Sequence, residues 1–203
     1  MASHMQSQES RAECSSIALL EITAQLIRDQ GYAGTTMRRI AEQAGIKAAS
    51  IYYHYASKDE IIDRVLDRGI VESMARVRQT MAELPAGVPF RERFTAAIGA
   101  YLATVNQFGT YFIATRQLLN QIPPELAERH RQRRVELDRF WADLLDEGYR
   151  EGAIAESGTN GLARLFMLGA LNWSTEWMDL SRKSSDELAE VAASLFLNGI
   201  ETR

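Results

Sequence analysis

Apolar residues in this chain recur three and four positions apart along nearly its whole length and almost nowhere alternate. A helix gathers such positions onto one face, whereas a strand needs period two, so the pattern restricts the fold to all-α. Punctuation divides it into about nine helices. The first is read from about Arg11 to Gln30, with Leu20, Ala24 and Ile27 inward and Gly31 as its stop. A short second helix follows Thr36 and ends at Gly45, and a third covers about Lys47 to Tyr55. Ser57 and Glu60 have the spacing of a capping box, in which each satisfies the other's backbone donor, and a long fourth helix follows. Residues 84–89 (LPAGVP) break the chain. A fifth helix then runs from Phe90 to about Phe108, a sixth from Thr110 to Gln121, a seventh from Glu125 to Glu151, and an eighth from Thr159 to Ser181. A second capping box, Ser184 with Glu187, opens the last.

Composition narrows the function. The 203 residues carry 23 Lys and Arg against 27 Asp and Glu, a net −4, which argues against a general nucleic-acid coat. The single cysteine, Cys14, excludes a disulfide framework and a Cys-based zinc site. Residues 1–5 (MASHM) read as an expression scar ahead of a natural Met5. The longest uncharged run, residues 95–115, is interrupted by Gly99, Asn106, Gln107 and Gly109, so it reads as a core helix and a turn rather than a membrane span. There is no glycine-rich phosphate loop, no metal-ligand spacing and no His beside a nucleophile. The expectation is a cytoplasmic protein that is not an enzyme and needs no metal or cofactor.

The second and third helices, joined by Ala44-Gly45-Ile46, form a helix-turn-helix pattern. In that motif the second member enters the major groove of DNA. Gly45 suits a left-handed turn, and Ile40, Ala41, Ala44 and Ile51 are small or branched enough to let the helices approach. Between Gly31 and Lys58 stand Arg38, Arg39, Lys47 and Lys58 against Glu42 alone, a surplus of three, so the rest of the chain carries −7. A basic island on an acidic body is what docking by one face requires. If all four cations of both heads in a dimer met phosphates, log affinity against log salt would slope at roughly −7, a ceiling.

The stretch from Leu20 through Ile62, including residues 31–46 (GYAGTTMRRIAEQAGI) and 50–58 (SIYYHYASK), resembles the DNA-binding domain of the TetR family of bacterial repressors. The resemblance implies that Thr36 caps the second helix, that the Tyr52 hydroxyl reaches the DNA backbone, and that Lys58 meets a phosphate. It places Tyr53 and His54 at the interface and Tyr55 in the core. In the turn the usual Ser-Lys-Gly-Thr is replaced by Lys47-Ala48-Ala49-Ser50, so the serine cap is lost. Base reading falls to Lys47, Ser50 and Tyr53, with Ala48 and Ala49 limited to thymine methyls. The implied division is a DNA-binding domain over 6–57 and an effector-binding and dimerisation domain over 58–203.

The eighth and last helices have two apolar faces each, and a helix apolar on two sides buries both. One stripe holds Leu162, Leu165, Phe166, Gly169, Trp173 and Trp177; on the last helix Leu188, Val191, Ala192 and Leu195 form one stripe and Ala189, Ala193, Phe196 and Ile200 another. The expected dimer contacts are Phe166, Trp177, Leu188, Ala192, Leu195 and Phe196, in a two-fold homodimer on a palindromic operator. The resemblance also implies a small-molecule effector site, for which Tyr101, Phe108, Tyr111, Phe112, Arg116, Trp141 and Trp173 are the candidates. Arg116 is the one charge between Phe94 and Glu125. Buried, it needs an anion; exposed at a helix end, it needs none. The basic run 129–134 reads either as a solvated face pairing with Glu125 and Glu136 or as a receiver of an effector's phosphate or carboxylate groups; the arrangement of Asn172, Trp173 and Trp177 and the segment 141–148 resemble TetR members that sense acyl-CoA thioesters. The competing reading is a helical protein-interaction module that does not bind DNA.

Overall fold

The computed structural model describes residues 2–155, 160–177 and 184–200, with side chains described over 16–155, 161–177 and 184–198. Among them are nine helices: α1 (Ala2–Gly34), α2 (Met37–Gln43), α3 (Ala48–Ile51), α4 (Lys58–Glu83), α5 (Phe90–Gln107), α6 (Gly109–Leu118), α7 (Pro124–Arg150), α8 (Asn160–Trp177) and α9 (Ser185–Ile200). The all-α expectation holds. The expected end of the eighth helix, beyond Trp177, lies outside the described residues.

The chain divides into two compact units. The first comprises residues 1–68 and 110–130, the second 69–109 and 131–203. The divisions fall inside α4, after the first residue of α6, and inside α7, so the first unit takes in α6 from Thr110 onward.

In the first unit α1 buries Leu19, Leu20, Thr23, Ala24, Leu26 and Ile27, a stripe wider than the three residues expected. Ile40 and Ala41 of α2, Ile51 of α3, and Ile61, Ile62, Val65 and Leu66 of α4 are also buried there. Each such isoleucine or leucine is worth about 1.5–3 kcal/mol of transfer free energy. Tyr55 is core, its hydroxyl bonded to Ser16 Oγ at 2.6 Å and donating to Ser16 O at 3.2 Å. The helical run of α1 is interrupted at Gly31, whose φ of 69° is left-handed. α6 ends at Leu118, three residues before the expected Gln121, because the amides of Gln121 and Ile122 both turn back to the Leu118 carbonyl.

In the second unit α5 is buried on most of its surface, through Phe90, Phe94, Ala97, Ile98, Tyr101, Leu102 and Val105. α9 packs closely on α5, and α8 packs on it also. Arg93 of α5 donates to Val88 O at 2.8 Å and pairs with Glu151, just past the end of α7, at 2.7 Å. A Cβ on Gly148 of α7 would lie 2.5 Å from the Phe90 ring, so that contact exists only because residue 148 is glycine. α7 closes as expected on Gly152, at φ 70°, with the Ala153 amide reaching back to Gly148 O.

Candidate nucleic-acid interface

The helix-turn-helix forms as read, with α2 packed on α3. Thr36 is the N-cap of α2, its Oγ1 accepting from the Arg39 amide at 3.2 Å. Gly45 sits at φ 68° with nothing within 4 Å of where a Cβ would be, so its role is backbone conformation alone. α3 is shorter than expected: four α-helical residues, not nine. Lys47 at its N-cap offers no side-chain acceptor, and from Tyr53 the chain tightens into i→i−3 bonds, Tyr53 to Ser50 at 3.2 Å and His54 to Ile51 at 2.9 Å. The reading element is one α-turn prolonged by a 3₁₀-like turn.

That element presents an exposed face. Lys47, Ala48 and Ala49 are exposed, Tyr52 is 55% exposed and Tyr53 90% exposed, while Ser50 and His54 are half-buried. A tyrosine so exposed on a well-packed unit keeps both its ring and its hydroxyl available to a partner.

The cations are less uniform than the sequence suggests. Arg38 is exposed but pairs with Glu42 one turn on, Nε to Oε1 at 2.8 Å; that hydrogen bond, with the carboxylate's charge, holds its pKa above the ordinary value. Arg39 donates to Gly34 O at 3.1 Å and to Gln30 Oε1, fastening α2 to the end of α1. Lys58 is half-buried, donates from Nζ to Tyr32 O at 2.6 Å and lies 3.5 Å from the Tyr32 ring centroid. Desolvation lowers its pKa, against the pull of Asp59. Its ammonium still has two further protons for a phosphate. The four cations behind the ceiling are thus not equivalent: Arg39 and Lys58 also hold the head together, and Lys47 is the exposed cation of α3.

The capping box ahead of α4 is also offset. The Glu60 amide donates to Ser57 Oγ at 3.1 Å, but the Glu60 carboxylate takes the amide of Ala56 at 2.7 Å, not that of Ser57. The box ahead of α9 closes reciprocally, Ser184 N to Glu187 Oε2 at 2.8 Å and Glu187 N to Ser184 Oγ at 3.2 Å.

Of the expected effector residues, Tyr101 and Trp141 are buried in the second unit, ring centroids 5.8 Å apart at 88°, with Phe94 and Phe140 also edge-on to the indole. The Tyr101 hydroxyl bonds Asn172 Oδ1 at 2.7 Å. Burial pushes that phenol well above its usual range, although Arg134 and Asn172 pull it down. The Trp141 indole N–H is buried and meets no acceptor among the described residues. Phe108 is the C-cap of α5. Tyr111, Phe112 and Arg116 lie on α6 in the first unit, Tyr111 buried and Phe112 half-buried. Arg116 is exposed in the last turn of α6, where a cation complements the helix dipole; of its two readings this is the helix-end one, not the buried anion receptor. The effector reading of Trp173 is corrected: it is 54% exposed and shares the outward stripe of α8 with Leu162, Leu165, Phe166 and Trp177. Phe166 is 76% exposed and Leu195 of α9 71%, while Leu188, Ala192 and Phe196 are half-buried. The opposite faces, Met167, Leu168 and Leu171 of α8 and Ala189, Ala193 and Leu197 of α9, are buried.

Residues 19–65 match the model described as bacterial regulatory proteins, tetR family, and residues 87–200 match the tetracyclin repressor-like C-terminal domain. The chain belongs to the TetR family. It is a helix-turn-helix transcriptional regulator, of a family that binds operator DNA and whose members are regulators rather than enzymes. It is 31% identical to the HTH-type transcriptional repressor KstR2 of Mycobacterium tuberculosis over 139 residues, 66% of each chain. The solved structure of the ketosteroid transcriptional regulator KstR2 from that organism shares the fold, with a TM-score of 0.75 at 23% identity, covering 93% of this chain and 95% of that one. So does AibR, solved in complex with isovaleryl coenzyme A and operator DNA, with a TM-score of 0.74 at 20% identity, covering 89% and 97%. No described helix of this TetR-family chain is long and apolar enough to cross a membrane.

Several residues that organise this TetR head carried no local signal in the sequence. Tyr32 gathers Lys58 at its carbonyl, Asp59 at its hydroxyl at 3.0 Å, and Gln121 at its amide at 3.2 Å. Gln117 and Gln121 come from a segment 89 positions away from their partners, a separation that no periodicity or motif spans.

Proposed function

We propose that this regulator is a cytoplasmic repressor that binds a palindromic operator as a homodimer and is released by a small-molecule effector. The observation that carries the DNA reading is the exposed α3 face: Lys47, Ala48, Tyr52 and Tyr53 project from a rigid unit whose own core is filled without them. Thr36, Arg38, Ser50, His54 and the remaining protons of Arg39 and Lys58 would add contacts to the phosphates around it. The outward apolar stripes of α8 and α9, with Phe166, Trp177 and Leu195 exposed on them, support pairing with a second copy. Two reading elements about 34–36 Å apart would then meet successive major grooves.

The effector reading rests on Trp141. A buried N–H without an acceptor costs about 1–3 kcal/mol, and a ligand carbonyl would remove that cost. The effector class put forward is an acyl-CoA thioester, an apolar chain bearing such a carbonyl. AibR, of the same fold, was solved with isovaleryl coenzyme A. By linkage, the effector loosens DNA only as far as it binds the released state better.

Sequence selection from random duplexes, followed by a gel shift on the DNA upstream of the gene, tests the first part. An inverted repeat is expected; capture of no sequence would return the chain to the protein-interaction reading. A thermal-shift comparison of CoA thioesters with free fatty acids tests the second. Stabilisation by the thioesters is expected, and its absence for every thioester removes that effector class.

A further inference from the structure

The surface that α3 offers to a groove is poor in the groups that usually read bases. Ile51 and Tyr55, four positions apart, are buried, and Ser50 and His54 beside them are half-buried. The exposed sector is therefore Lys47, Ala48, Ala49, Tyr52 and Tyr53. It contains no amide, carboxylate or guanidinium, the groups that read adenine, cytosine and guanine edges by paired hydrogen bonds. Lys47 stands at the N-cap and offers a point charge, which serves a phosphate as readily as a base. The two phenols stand at the other end, Tyr52 at the C-cap and Tyr53 just beyond it. Between the charge and the rings lie two methyl groups, the Cβ atoms of Ala48 and Ala49 in the first turn of α3. Side chains so short let the helix backbone come close to whatever they face.

A methyl group distinguishes base edges in one way only. In the major groove thymine alone among the four bases carries an apolar group, its C5 methyl; the other groups there are donors and acceptors, which an apolar surface would strip of water without replacing it. Two methyls brought together both leave water. We infer that Ala48 and Ala49 are specificity-determining residues, and that each half-site is recognised by thymine C5 methyls set against them. The inference rests on the operator reading above and adds the chemistry by which a half-site is told from its rivals. It makes that choice depend on a group that takes no part in base pairing.

The test uses the full chain and the operator that the wild type selects from random duplexes, with affinities read by fluorescence anisotropy. Each half-site thymine, together with its symmetry mate, is replaced by deoxyuridine, which keeps the O4 acceptor and the pairing with adenine and lacks only the C5 methyl. At one or two positions the replacement is expected to weaken binding about tenfold, the loss of two buried methyls, and at the other thymines less than about twofold. Of Ala48→Gly and Ala49→Gly, made singly, at least one should bind the thymine and deoxyuridine duplexes within about threefold of each other. Where cytosine replaces a sensitive thymine, 5-methylcytosine restores the methyl and should bind at least about threefold more tightly than cytosine. Half-sites without thymine, indifference to deoxyuridine at every position, or 5-methylcytosine no better than cytosine each overturns the inference. So does a thymine preference that survives in both glycine variants, because the methyl is then read elsewhere. The modified-base measurements use the wild type alone, so a glycine variant that fails to fold leaves them decisive. A wild type that selects no duplex overturns the operator reading and this inference with it; an operator bound without methyl dependence removes this inference alone.

Discussion

Two glycines of the reading head share a backbone conformation for different reasons. Gly45 and Gly31 both have φ near 70°, but the first faces open space and the second faces Gln121. Gly45→Ala should therefore cost about 1 kcal/mol, the left-handed penalty alone, and Gly31→Ala more, in urea unfolding. Tyr52→Phe should leave the melting temperature unchanged and weaken operator binding about fivefold in anisotropy titrations, the loss of one hydroxyl contact. Tyr101 gives a pH test. Its folded pKa is raised above its ordinary value of 10.0, so the neutral phenol is the form the fold favours. That stability is complete below pH 10 and is lost as pH climbs past it toward the folded value. Stability should fall as pH rises above 10, less steeply in Tyr101→Phe. At this scale Gly45 was legible as a turn from its own chemistry, while Thr36 as a cap and Tyr55 as core came from the resemblance to the TetR head. The sequence was silent about Gly31's second role and about Tyr32, whose partners arrive from α4 and α6.

At the scale of the element, α3 departs most from the reading. Periodicity located it, but nothing in the periodicity says that a helix without an N-cap acceptor shortens to a single α-turn and a tighter one. Restoring the acceptor with Lys47→Ser should firm α3 by about 1 kcal/mol. The same change removes the exposed cation, so the slope of log affinity against log salt should become shallower by about 2 for a dimer. With Arg39 and Lys58 partly engaged inside the head, the wild-type slope is expected nearer −4 than −7 in a titration between about 50 and 200 mM salt. The two-faced character of α8 and α9 was legible, because the buried and outward stripes are the two that the spacing separated. The spacing also placed Trp173 on the outward stripe where it stands; what it left open was whether a tryptophan there meets a ligand or solvent.

At the scale of the whole molecule, family and fold class were legible because they rest on many concordant positions, whereas the effector residues rest on tertiary neighbours. The outward stripes predict a dimer. Phe166→Asp/Leu195→Asp places charge at the centre of that surface and should yield a 22.8 kDa monomer by light scattering that melts near the wild-type temperature. The composition of the first unit has a practical corollary. Its second portion, residues 110–130, supplies the side chains that finish α1. A truncation at Arg68, or a chimera grafting only the first 68 residues onto a foreign sensor, would leave the Arg28 carbonyl and the Tyr32 amide to water. Domain exchange with this protein therefore calls for two transplanted segments, not one.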